Sequence, residues 1–284
     1  MTRTFESYCD EFGHSEDPTK KYMGIAGLLG WSDHWRRFSE EWEACLKNEG
    51  IPRPFHMVDF IHHSEKFSDA RWKDQQERLR VLNILLELVE RAEPIPVAAA
   101  VSLKDYNALT VEEQRMCRGP YYLAFQTVTS NLGFAVGSKD LAIKVERARA
   151  DMEADKKGLP VKEWDYTIPA KVSMVYAKFR GFTGPAAELW NALKSVNMFG
   201  YWMASYAIGE PSDCPPLQAA DIWAYSIGNC GERRAAANPE AAIALKVFIR
   251  LAMKAQHGHH WFTHLDREHI LGRIRPEVTA SASH

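Results

Sequence analysis

Three acidic residues lie in stretches rich in apolar residues, and they frame the chemistry available to this chain. Asp221 lies within Leu217-Gln218-Ala219-Ala220-Asp221-Ile222-Trp223-Ala224-Tyr225, a helix-like run with no other charge. An ionised carboxylate buried there is costly unless it is paired, hydrogen-bonded or bound to a metal. Gln218, Asp221 and Tyr225 step by three and four and so project from one helical stripe. An Asp held by an Arg or a backbone group for purely structural reasons satisfies the same pattern. Asp10 closes the strand-like Phe5–Asp10, with Glu11 next and a turn at Gly13. A carboxylate at a strand end sits at the sheet rim, where ligands bind, although Asp also initiates turns for local reasons. Glu146 falls on Leu141–Arg147, read as a strand whose opposite face carries Leu141, Ile143 and Val145. By itself Glu146 reads as a solvated charge at a strand end.

Histidines form two groups: His56, His62 and His63 with Asp59, and His257, His259, His260 and His264. Zinc would use such residues, but neither group has the H-E-x-x-H spacing, and both read as surface sets. His56 differs, since Phe55 and Met57 flank it and make it half-buried. Lys171–Phe182 interleaves Lys171, Lys178 and Arg180 with Tyr176, Phe179 and Phe182. That composition suits a nucleic-acid backbone, and equally a solvated strand with long basic side chains. There is no Walker A loop, no G-x-G-x-x-G after a strand and no G-x-S-x-G elbow.

The elements that must position these residues follow from periodicity. Phe5–Asp10 and Tyr22–Gly30 read as an antiparallel strand pair. Ser32 caps a helix through Asn48, where Trp35, Phe38, Trp42 and Cys45 line one face. Residues 51–68 read as a loop with a short turn. Asp69–Ala92 is a second helix, and the uncharged Val97–Leu103 a strand buried on both faces. Pro120–Phe134 reads as a helix, Gly184–Ser195 as another, and Phe199–Ile208 as the last strand. Pro215 and Pro216 suit a helix start, with the helix running to Arg234 and a further one over Ala235–Met253. The fold class is α/β: a mixed sheet with helices on both faces, in one domain over 1–284. A charged insertion around 148–171 and a helical C-terminal extension from about 235 complete it.

The chain has 284 residues, 35 Lys+Arg against 37 Asp+Glu, 46% hydrophobic and 25% charged. Those fractions belong to a globular protein. A net charge of −2 removes a domain-wide basic excess as an argument for nucleic-acid binding, though not a local basic groove. No run is long and apolar enough for a bilayer, and Met1-Thr2-Arg3-Thr4 carries no signal-peptide core. Five scattered cysteines without a C-x-x-C pair read as reduced thiols, so the expectation is a cytoplasmic protein without a membrane segment.

Three segments carry a resemblance. Tyr8-Cys9-Asp10-Glu11-Phe12-Gly13 resembles the D-E-S-G opening of the DUF3800 family of bacterial proteins, with Phe12 in place of Ser. Phe55-His56-Met57-Val58-Asp59-Phe60 resembles its F-H-x-x-D/E segment, and Leu217–Tyr225 its (I/L)-Q-x-A-D-x-x-A helix. Glu210-Pro211-Ser212-Asp213 stands where an Asp-Ser pair commonly precedes that helix. The resemblance spans roughly residues 5 to 235. It implies an RNase H-like fold, a mixed five-stranded sheet whose first three strands are antiparallel. It also implies acids from the first strand, a later strand and a late helix that converge on divalent metal. Asp10 matches the first acid, Asp221 the last and Glu146 the middle one, with Asp105 the fallback.

Under this resemblance Asp10, Glu146 and Asp221 hold Mg²⁺ or Mn²⁺ and catalyse phosphodiester cleavage in nucleic acid. Two ions roughly 4 Å apart would activate a water and stabilise the leaving oxygen, and hard cations take oxygen ligands. Glu11 is an accessory acid, Gln218 orients Asp221, and His56 contacts substrate or shuttles a proton. The alternative is a non-catalytic module that keeps the fold and binds nucleic acid or a protein.

Overall fold

Both faces of the first strand are apolar: Phe5 and Cys9 point to one side, Tyr8 and Phe12 to the other, and all four are buried. A strand of that kind belongs in the middle of a sheet covered twice. The computed structural model describes residues 4–13, 20–157, 160, 170–178, 183–195, 201–230, 239–254 and 261–273. Its six strands are β1 (Thr4–Phe12), β2 (Tyr22–Trp31), β3 (Ile95–Ser102), β4 (Lys171–Ala177), β5 (Met203–Gly209) and β6 (Trp261–Leu265). They form one mixed sheet in the order β5-β4-β1-β2-β3-β6. β1–β2 and β2–β3 are antiparallel, whereas β1–β4, β4–β5 and β3–β6 are parallel. The C-terminal ends of β1, β4 and β5 therefore emerge side by side at one edge.

Helices cover each face. On one side lie α1 (Ser32–Asn48), the short α2 (Met57–His62) and α3 (Ala70–Lys73), then α4 (Gln75–Arg91). α9 (Pro215–Cys230) and α10 (Pro239–Lys254) complete that layer, and α9 lies directly on β1 and β2. Next come α5 (Leu103–Asn107) and α6 (Val111–Cys117), which follow β3 in the chain. The opposite face is covered by α7 (Pro120–Lys156) and α8 (Thr183–Ser195). Gly228 lets α9 approach the sheet, since a Cβ there would stand 3.1 Å from Phe12 Cβ.

Three expectations need correction. Residues 141–147 are helical, not a strand: α7 runs unbroken through 37 residues. Leu141, Ile143 and Val145 alternate as a strand would, yet no proline occurs from 121 to 159, and Ala, Lys, Glu and Arg dominate 142–156. Residues 148–156, expected to be irregular, belong to the same helix, while 158–159 and 161–169 lie outside the described residues. The C-terminal part is not only helical either. After α10 the chain returns to the sheet as β6, pairing Val97 with Trp261 and Val101 with Leu265. Five residues with little alternation gave that strand no periodic signal.

Candidate functional site

The rim where β1, β4 and β5 end opens into a cavity of about 930 Å³. Asp10, Glu11 and Gly13 line it from the end of β1, Lys178 from the end of β4, and Glu210 and Ser212 from the loop after β5. Asp221 and Tyr225 approach from α9, His56 and Asp59 from the opposite wall, and Lys20 and Lys66 add positive charge. Tyr121 Oη donates to Gly13 O at 2.7 Å, tying α7 to the turn that ends β1. Gly13 sits at φ +70°, and a Cβ there would lie 2.3 Å from Tyr22 O, so the turn requires glycine.

Asp221 is 7% exposed. Its Oδ2 accepts the Met57 N–H at 2.6 Å, and its Oδ1 lies 3.9 Å from His56 Nε2. Met57 opens α2, so that N–H is an unsatisfied helix-end donor, and the Asp221 carboxylate caps it across a sequence gap of more than 160 residues. Burial raises the Asp221 carboxyl to about 6, with Glu11 and Asp59 pushing the same way and His56 and Met57 opposing. Asp10 rises to about 7, first through burial and then through repulsion from Asp221, against hydrogen bonds from Glu11. Asp221 is thus one source of the rise at Asp10. Charge repulsion and desolvation both make the doubly ionised pair unfavourable without a cation.

Gln218 does something other than touch Asp221. Its Oε1 accepts from Trp42 Nε1 at 3.0 Å and from Phe55 N at 2.9 Å, and its Nε2 donates to Pro211 O at 2.7 Å. It pins the segment that delivers His56 and Met57, and orients Asp221 only through that segment. Packing secures the same segment: the rings of Phe55, Phe60, Phe67 and Trp72 lie 5.2–5.9 Å apart, edge-to-face except for the tilted Phe55–Phe60 pair. His56, expected half-buried, has 51% of its side chain exposed at the cavity mouth. Its Nδ1 lies 2.9 Å from Asp59 Oδ2, and Ser64 Oγ donates to Asp59 Oδ1 at 2.7 Å. Burial raises the Asp59 carboxyl, but bonds from Ser64 and His56 outweigh that and hold it below the usual range. An ionised Asp59 only accepts, so His56 carries its proton on Nδ1 and presents Nε2 to the cavity.

Glu146 does not join this group. It is exposed on α7 and is not among the residues lining the cavity. Asp105, the fallback, lies in the first turn of α5, its N–H donating to Ser102 Oγ, also away from the cavity. At the end of β4 stands Lys178, paired with Glu210 at 2.6 Å. Glu11 does reach the cavity, on the sheet face opposite Asp10. The role of Asp59 was missed; its i, i+3 spacing from His56 was the signal available. Of the second histidine group, His257, His259 and His260 lie outside the described residues, and the His264 ring packs edge-on against Tyr22.

No family model matches the chain, and no curated protein does. Identity must therefore be argued from the site. Among the described residues, no three His, Cys, Asp or Glu side chains form a ready metal-ligand group. Asp10 and Asp221 nonetheless offer the donors a hard cation takes, since Mg²⁺ is commonly bound through one or two carboxylates with water completing its shell. Among the described residues no helix is long and apolar enough to cross a membrane.

Proposed function

We propose that the chain is an RNase H-like phosphodiesterase resembling the DUF3800 family, dependent on Mg²⁺ or Mn²⁺ held by Asp10 and Asp221, with nucleic acid as substrate. The observation that carries this is the convergence of Asp10 and the buried Asp221 on one cavity at the sheet edge. Such a pair costs stability unless a cation or a reaction uses it. In support of this reading, β1, β2 and β3 run antiparallel in sequence and β4 lies parallel on the other side of β1, with β6 beyond β3.

A cation bound there would supply Lewis-acid activation of water and neutralise charge at the phosphate. Asp10 and Asp221 would hold it, and Glu11 lines the same cavity and adds negative charge there. His56 Nε2, its ring fixed by Asp59, moves the proton of the attacking water or the leaving oxygen. Lys20 and Lys66 attract the phosphate backbone locally, in keeping with a chain of net charge −2.

The test is incubation with labelled single- and double-stranded DNA and RNA, with and without Mn²⁺. Cleavage that requires Mn²⁺ and is lost in Asp221→Asn supports the reading. Binding with no cleavage under any of these conditions would replace it with the non-catalytic module.

A further inference from the structure

Lys178 and Glu210 line the cavity as a bonded pair, Nζ to Oε1 at 2.6 Å. Backbone pairing places both residues. β4 and β5 run parallel with Ala177 opposite Gly209, and the Lys178 N–H donates to Gly209 O at 3.0 Å. The two side chains are 60% and 48% exposed, and an ion pair that open to water adds little to stability. Register also sets the face they occupy. Cys9 stands opposite Tyr176, so two residues further on Glu11 and Lys178 follow on that same face, away from Asp10. Lys178 therefore borders the Asp10–Asp221 pair without facing it.

We infer that Lys178 anchors a phosphate flanking the reacting one in a nucleic-acid strand, and that Glu210 is the resident anion which this phosphate displaces. The inference rests on the proposed phosphodiesterase reading, in which the reacting phosphate lies at Asp10 and Asp221. The exchange replaces one oxyanion by another on the same ammonium, so the bond itself changes little in strength. Glu210, exposed in the loop after β5, returns to water. A lone phosphate gains one contact and breaks one. A strand also held at Lys20 and Lys66, which line the same cavity, makes the exchange within a complex already formed, at high effective concentration. Lys66 donates to the neutral Arg53 O and keeps further N–H groups for a phosphate.

Fluorescence anisotropy with labelled single strands of about 12 nucleotides, one of DNA and one of RNA, tests the exchange in EDTA. Glu210→Gln should tighten binding about 2- to 5-fold, and Lys178→Met should weaken it by a similar factor. Lys178→Met should also lower the slope of log affinity against log salt by about 0.7. Adding Glu210→Gln to Lys178→Met should then change nothing. Asp213→Asn removes the same charge from the same loop but off the cavity lining, and should leave affinity as in wild type. A gain from Glu210→Gln that persists without Lys178, or that Asp213→Asn reproduces, is general repulsion and overturns the exchange. An unchanged affinity and slope in Lys178→Met, or no strand binding by wild type, overturns it as well. A response from only one strand type assigns the flanking phosphate to DNA or to RNA and supports the proposal for that strand. These results are independent of Mn²⁺-dependent cleavage, on which the phosphodiesterase reading stands or falls.

Discussion

The Met57 N–H donates to Asp221 Oδ2 at 2.6 Å, so one carboxylate both caps α2 and faces the cavity beside Asp10. That bond occupies one oxygen and leaves Oδ1 directed to the side where His56 Nε2 lies.

Asp10→Asn and Asp221→Asn should each abolish Mn²⁺ binding measured by calorimetry. Glu146→Gln and Asp105→Asn should leave affinity within error of wild type, since neither residue lines the cavity. Asn at 221 can keep the Met57 bond through its amide oxygen while relieving repulsion. The metal-free variant should accordingly be more stable than wild type at pH 8 by about 1–3 kcal/mol, read from denaturant midpoints. Full Mn²⁺ affinity in both Asp variants would refute the site.

Stability should also depend on pH with a defined sign. Asp10 and Asp221 are raised from 3.8 to about 7 and about 6, so the folded state binds more protons than the unfolded one in this range. Metal-free protein should be most favoured below about pH 4 as far as these two groups go. That contribution should be lost as pH climbs through 6 and 7. The shift in melting temperature caused by Mn²⁺ should grow over the same window, because the cation needs the ionised pair. A Mn²⁺ effect independent of pH from 5 to 8 would contradict this.

Replacing Gln218 by Leu strands the buried Trp42 Nε1–H and Phe55 N–H and the half-buried Pro211 O. The expected loss is about 3–5 kcal/mol, since each unsatisfied group costs about 1–3 kcal/mol and relaxation recovers part. Hydrogen exchange should show faster opening at residues 55–57 than in wild type. Unchanged protection there would mean that Gln218 does not position the segment.

Removing the histidine pair should separate chemistry from binding. His56→Ala should lower kcat about 10²–10⁴-fold with Mn²⁺ affinity kept. Asp59→Asn should lower kcat less and move the pH profile, since its loss frees the ring's tautomer. Equal falls in kcat and Mn²⁺ affinity would assign His56 to the metal instead.

The residue types singled out Asp221, a lone acid in an apolar helix, and Asp10, an acid at a strand end, and the structure brings both to one cavity. Most of the elements were legible too, because strands such as β2 and β3 and helices such as α1 and α4 show their burial in their periodicity. Glu146 was misread because alternation at 141, 143 and 145 mimics a strand. Only the continuous helix from Pro120 shows that its face points to solvent.

Local pattern determined which acids are expensive to bury and which segments are helix or strand, since both follow from neighbours within a few residues. Only the tertiary structure decided that Asp221 reaches Met57, that Gln218 serves Trp42, Phe55 and Pro211, and that Lys178 occupies the end of β4. Those contacts join residues far apart in the chain through a sheet order of β5-β4-β1-β2-β3-β6. No periodicity encodes such partners, because they are fixed by which surfaces pack together.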